Sequence, residues 1–113
     1  MTPRLTSRMT VDSLLRRVSQ KGGFGAMLAR GDDSGGAILV LLAERGEVRR
    51  LLERTLDSAG DYRWTPCGPL DVESPASRDS YIQRRRERDP DLWLIELDIA
   101  DAERFAAEMM PVC

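Results

Sequence analysis

At 113 residues, 42% apolar and 32% charged, the chain has the size and composition of one soluble globular domain, residues 1–113, and not of a disordered tail. Its net charge of −2 argues against a surface built to blanket nucleic acid or a membrane. Histidine is absent, which removes the usual proton-transfer side chain near neutral pH and the commonest transition-metal ligand, and excludes Ser- or Cys-centred triads within the chain.

Cys67 and Cys113 form no C-x-x-C pair, so neither a zinc site nor a redox motif is indicated, and no cofactor is expected. No run approaches the roughly eighteen apolar residues of a membrane span. A cytoplasmic protein with reduced thiols is the expectation. Sixteen of the seventeen basic residues are Arg, a bias that reads as genomic base composition before it reads as phosphate chemistry. Charge is unevenly spread: residues 1–21 carry five basic side chains and one acidic, residues 89–108 seven acidic and one basic.

In chain order, residues 1–8 are polar and read as a flexible N-terminal arm. Val11, Leu14, Leu15 and Val18 then stripe one face of a helix. Thr10 is placed as its N-cap, Met9 as a staple onto Leu14, and Gly22-Gly23 as its end. Phe24–Arg30 and Ala37–Ala43 read as strands joined through Gly31–Gly36 into a hairpin, the second apolar on both faces like a central strand. Arg45-Gly46 is a two-residue turn. Residues 47–57 conflict: Val48, Leu51, Leu52 and Leu56 fit helical spacing, whereas the flanking turns favour a strand, and the strand is preferred.

Tyr62–Thr65 is its partner strand. A proline-bearing loop follows, then a helix capped by Ser74 with Pro75 at its first position, with Tyr81 and Ile82 facing the core. It runs through Arg88 to the stop at Asp89-Pro90. Leu92–Leu97 is the last strand. Ala102, Phe105, Ala106 and Met109 stripe a short C-terminal helix that Pro111 ends. The predicted class is α+β, in the order α-β-β-β-β-α-β-α. It has a mostly antiparallel sheet of about five strands, two main helices and a short C-terminal one.

Gly22-Gly23-Phe24, Arg30-Gly31-Asp32 with Gly36–Val40, and Arg88-Asp89-Pro90-Asp91-Leu92-Trp93 with Glu96 resemble, in order and spacing over nearly the whole chain, the domain-of-unknown-function family 1491. These are small single-domain alphaproteobacterial proteins. The D-P-D-L-W run before an apolar strand is the most specific of these elements. The resemblance implies bacterial origin and a mixed α and β fold, and supports a strand over residues 47–57. It carries over no activity and no site residues.

Two clusters are candidate sites. Asp32, Asp33, Asp89 and Asp91 are the carboxylates that would hold Mg²⁺ in a phosphodiester hydrolase, although Asp32-Asp33 also reads as turn chemistry and Asp89-Pro90-Asp91 as a helix stop. Lys21, the only lysine, sits at the end of the first helix and not in a strand beside them. Arg84, Arg85, Arg86 and Arg88 would contact phosphate, with Trp93 or Tyr81 available for stacking and Trp64, on a more polar strand, as a further binding candidate, although basic residues also suit a helix C-terminus. Trp93 reads as core. The leading expectation is a non-catalytic binding module, pairing with itself as a homodimer or with another protein. Nucleic acid is the less favoured partner, and no membrane is expected.

Overall fold

A computed structural model describes residues 6–109. They form helix α1 (Ser7–Gln20), strands β1 (Phe24–Ala29), β2 (Ile38–Glu44), β3 (Glu47–Leu56) and β4 (Tyr62–Cys67), helix α2 (Pro75–Arg88), strand β5 (Trp93–Asp98) and helix α3 (Ala102–Met109). The predicted class and element order hold, and residues 47–56 are strand. The strands make one sheet ordered β1-β5-β2-β3-β4. Only β2–β5 is parallel; the other three pairings are antiparallel.

One expectation is overturned. β1 and β2 are not a hairpin, because β5 lies between them and pairs with both. The connection from Arg30 to Ala37 therefore bridges a strand, a span of roughly 10 Å across the sheet, and is no tight turn. The other two local connections behave as read. Arg45 and Gly46 both have positive φ, 54° and 81°, as a type I′ turn between β2 and β3 requires. Their N–H groups donate to the Asp98 carboxylate at 3.0 and 2.7 Å, which ties this turn to the end of β5.

Helix α1 starts earlier than predicted. Its N-cap is Thr6, whose Oγ1 accepts from Met9 N at 3.2 Å, so Thr10 is helical and residues 7 and 8 belong to the helix. Residues 1–5 of the expected arm, like Pro111 and Cys113, lie outside the described residues. The extra turn forms because Ser7 continues the buried stripe of Val11, Leu14 and Val18. Its hydroxyl donates to Gly36 O and accepts from Arg54 Nη2 at 2.9 Å. Met9 lies inside the helix after the cap and is about half exposed, so it is not the residue preceding the N-cap that a staple requires. At the other end, Gly22 N donates to Ser19 O and Gly23 N to Val18 O, with Gly22 at φ 85°. This is a Schellman cap on the predicted glycines.

The sheet separates two unequal layers. On one face, Ile38, Val40, Leu42, Leu52, Trp93, Ile95 and Leu97 pack beneath Val11, Leu14 and Val18 of α1 and Phe105, Ala106 and Met109 of α3. Lys21 pairs with Glu108, and Arg17 stacks over Phe105 at 5.7 Å, so some of the oppositely charged N- and C-terminal segments pair within the chain. On the other face, Leu39, Leu41, Ala43, Val48, Leu51, Leu92 and Leu94 form a smaller core that α2 alone among the described helices covers.

The entry to β5 is held by backbone. Asp32 N donates to Asp91 O at 3.0 Å, and Trp93 Nε1 donates to Asp32 O at 2.7 Å. A Cβ at Gly31 would lie 2.1 Å from Asp91 O, and one at Gly36 2.2 Å from the same atom. No side chain fits at either position. Gly35, in the same loop, has nothing within 4 Å. Gly31→Ala or Gly36→Ala should therefore lower the free energy of unfolding by about 2–4 kcal/mol. Gly35→Ala should stay within about 1 kcal/mol of the parent. Urea denaturation of the three variants measures the contrast.

Candidate functional site

Helix α2 is placed by polar anchors and not by apolar burial. Ser74 Oγ caps it through Ser77 N, Pro75 occupies its first turn, and none of its residues is fully buried. Its attachment lies over β3 and β4. Arg85 forks onto Glu53 of β3, with Nη1 to Oε1 at 3.0 Å and Nη2 to Oε2 at 2.5 Å, and Nη1 also donates to Tyr81 Oη at 3.0 Å. Tyr81 and Ile82, predicted to face the core, do so alongside Cys67 and Val72. Burial pushes the Cys67 thiol and the Tyr81 hydroxyl up from their ordinary ranges, so both are neutral near pH 7.

Because α2 sits toward β3 and β4, the part of this face formed by β1, β5 and β2 is left open beside it. The result is a cleft of about 780 Å³. Its floor is Leu41, Val48, Leu92 and Leu94, with Ile82 on the helix side and Leu28 and Ala29 on the β1 side. The rim carries both signs of charge: Arg30, Arg78 and Arg86 against Asp79, Glu87, Asp89 and Glu96. Arg78 donates through Nη1 to Val72 O at 3.0 Å, while its Nε is buried with no hydrogen-bond partner. Tyr81 and Ile82 were expected to face the core from their place in the α2 sequence. Arg30 and Arg78, which stand far apart in sequence and carry no motif, were missed.

The four predicted arginines do not form one patch. Arg85 is turned inward onto Glu53, Arg86 lines the cleft, and Arg84 and Arg88, one turn apart, share the opposite flank of the helix. Trp64 lies on the other side of the sheet, packed against the α1 and α3 core, so it does not stack beside them. Trp93 is core, as read.

The aspartates are brought together as chain segments, not as carboxylates. The 31–36 loop and the 89–91 turn meet through Asp32 N and Asp91 O. Asp32 Oδ2, however, accepts from Ser34 N and Gly35 N at 3.2 and 3.0 Å, and Asp89 Oδ1 accepts from Asp91 N at 3.1 Å. Asp33 pairs with Arg30 at 3.0 Å and Arg8 at 3.7 Å. Among the described residues, no three His, Cys, Asp or Glu side chains gather as a metal-binding group.

Two measurements follow from this geometry. Arg85→Ala or Glu53→Ala each strands a partly buried charge and should cost about 1–3 kcal/mol, whereas Arg84→Ala and Arg88→Ala should be near neutral. A double-mutant cycle in urea, Arg85→Ala against Glu53→Ala, reads the coupling. The second concerns pH. The Arg63, Arg50 and Lys21 partners hold the Asp57, Glu103 and Glu108 carboxyls below their usual range. Their stabilisation is complete above the unfolded pKa of about 4 and is lost as pH falls through the lower folded values. The raised Cys67 and Tyr81 groups act oppositely, losing stability as pH climbs through the unfolded thiol and phenol range. With no histidine, the melting temperature should be level between about pH 5 and 8 and fall on both sides.

The model of a family described as a protein of unknown function, DUF1491, matches residues 5–107. A crystal structure of a DUF1491 family protein from Caulobacter crescentus CB15 is 29% identical and superposes with a TM-score of 0.77, covering 90% of this chain and 94% of that one. An NMR structure of a DUF1491 family protein from the same organism is 28% identical at a TM-score of 0.75, covering 89% and 91%. A solution structure of an A. tumefaciens protein is also 28% identical, at a TM-score of 0.72 with 86% and 87% covered. No curated protein matches the chain. The match over residues 5–107 places this chain in the DUF1491 family.

Proposed function

We propose that the protein is a non-catalytic binding module whose working surface is the cleft beside α2, and that it receives an apolar segment of a protein partner. One observation carries the reading: a floor of core leucines, Leu41, Leu92 and Leu94, lies beneath an opening of about 780 Å³ that no helix of the described chain fills. Apolar clefts of this size with a few polar groups at the rim are the usual form of a binding site. The mixed rim of Arg30, Arg78 and Arg86 with Glu87, Asp89 and Glu96 suits a partner segment flanked by charges of both signs more than a polyanion. Catalysis has little to work with there. The sequence has no histidine, and Cys67 is held in its neutral thiol form by burial.

The probe for this surface is anilinonaphthalene sulfonate, an apolar dye with one anionic group. It should bind saturably with one dye per chain while the near-ultraviolet circular dichroism of the folded state is retained. Ile82→Glu should abolish the fluorescence, and Met9→Glu, on the far side of the sheet, should leave it unchanged. Absence of saturable binding, or binding indifferent to Ile82→Glu, overturns the reading.

A further inference from the structure

The sheet has two edges, and they are built differently. The β4 edge, Tyr62–Cys67, carries Arg63 and Pro66, a charge and a residue without an N–H, both of which discourage another strand from pairing. The β1 edge reads Phe-Gly-Ala-Met-Leu-Ala, with no charge and no proline. Phe24, Met27 and Leu28 are 66%, 45% and 52% exposed, so one six-residue strand holds half of the large apolar side chains exposed among the described residues. Among the described residues β1 pairs only with β5, and its outer side offers backbone N–H and C=O groups with no strand partner there. The occupant of such an edge is an extended strand, and the side chains specify which one.

We propose that β1 pairs with β1 of a second copy of the chain, antiparallel and centred on Ala26, to form a two-fold dimer with a continuous ten-stranded sheet. The register follows from the faces. A Cβ at Gly25 would meet Leu15 and Val18, so Gly25 faces α1, and alternation puts Phe24 and Ala26 on the cleft side, where Leu28 also lies. Opposed residues of an antiparallel pair share a face. Centring on Ala26 sets Phe24 against Leu28 of the second copy, and Met27 against Gly25 of the second copy, large side chain over none. A two-fold axis repeats each pair, so the strand is complementary to itself. The bulge between Met27 and Ala29 ends the ladder at Leu28, which keeps it short.

The exposed side chains supply on the order of 300 Å² of apolar surface per copy. That is below the roughly 1,200 Å² total of a tight interface, so the dimer is weak and concentration-dependent. Leu28 lines both this edge and the cleft, whereas Phe24 and Ala26 do not line the cleft, so Phe24→Lys and the cysteine variants test the dimer apart from what the cleft receives.

Sedimentation velocity from micromolar to millimolar chain should show the 12.7 kDa species converting to one of twice that mass. Phe24→Lys and Leu28→Lys should each remove the heavier species. In a Cys67→Ser/Cys113→Ser background with copper phenanthroline as oxidant, Ala26→Cys should cross-link. Phe24→Cys should not, because the two Phe24 positions stand about 13 Å apart along the strands, beyond disulfide reach. A monomer at every concentration, a dimer that survives both lysines, or cross-linking at Phe24 in preference to Ala26 each overturns the proposal. Should a lysine variant unfold, the two cysteine variants decide alone.

Discussion

The carbonyl oxygen of Asp91 is enclosed by backbone, with Gly31 and Gly36 each so close that a Cβ would overlap it and Asp32 N donating to it at 3.0 Å. Much of the topology depends on that enclosure. β5 can enter between β1 and β2 only if the chain joining those two strands passes across its first residues, and passing this closely requires a backbone without side chains at the two points of contact. The same loop receives the start of α1, because Ser7 N and Arg8 N donate to Ser34 O and Asp33 O. One short segment thus fixes the start of the first helix, the entry of the last strand, and the parallel β2–β5 ladder, in which Trp93 N donates to Ala37 O at 2.8 Å.

This explains which parts of the fold were legible in the sequence. The glycines flanking Asp32 and the Asp89-Pro90-Asp91-Leu92-Trp93 run were recognisable as wording because their spacing is fixed by one steric contact. Their meeting in space was not legible, since turn composition between two apolar runs says nothing of a strand that arrives some sixty residues later. The hairpin between β1 and β2 was the natural local reading, and a long-range insertion defeated it. The ambiguity of residues 47–57 also has a cause. The register shifts near Arg49, so Val48 and Leu51 face α2 while Leu52 faces α1. A bulge puts residues three apart on one face of a strand, and that spacing imitates a helix.

Polar residues hid the rest. Ser7 extends an apolar helical stripe although, as part of a polar arm, it carries no apolar signal, and Arg54 is a charged residue within a strand. They are buried together, with Arg54 also donating to Thr10 Oγ1 at 2.8 Å and stacking on Tyr62 at 3.9 Å. Each takes part of its hydrogen bonding from the other's element. The arginine cluster failed as a single site for a related reason. Adjacent residues on a helix point in different directions, and Glu53, which takes Arg85 out of the cluster, lies 32 positions earlier. A run of like residues in sequence is a patch only if the helix turns them to one side.

The two faces of the sheet differ in how they are covered, and that difference locates the open surface. α1 and α3 lie on their face through side chains that are themselves buried, Val11, Leu14, Val18, Phe105 and Met109, and apolar packing of this kind closes over whatever area it can reach. α2 offers little apolar area beyond Tyr81 and Ile82, and its hold comes from the Arg85–Glu53 fork, the Arg78–Val72 contact and the Ser77–Asp71 hydrogen bond. Hydrogen bonds of this kind are directional and fix a position, whereas the hydrophobic effect is not and draws surfaces together. A helix pinned over β3 and β4 has no reason to slide across β2 and β5. The cleft above Leu41, Leu92 and Leu94, which are themselves buried, is a consequence of the charged composition of α2, so substitutions that give α2 a broader apolar face would be expected to close it by drawing the helix across.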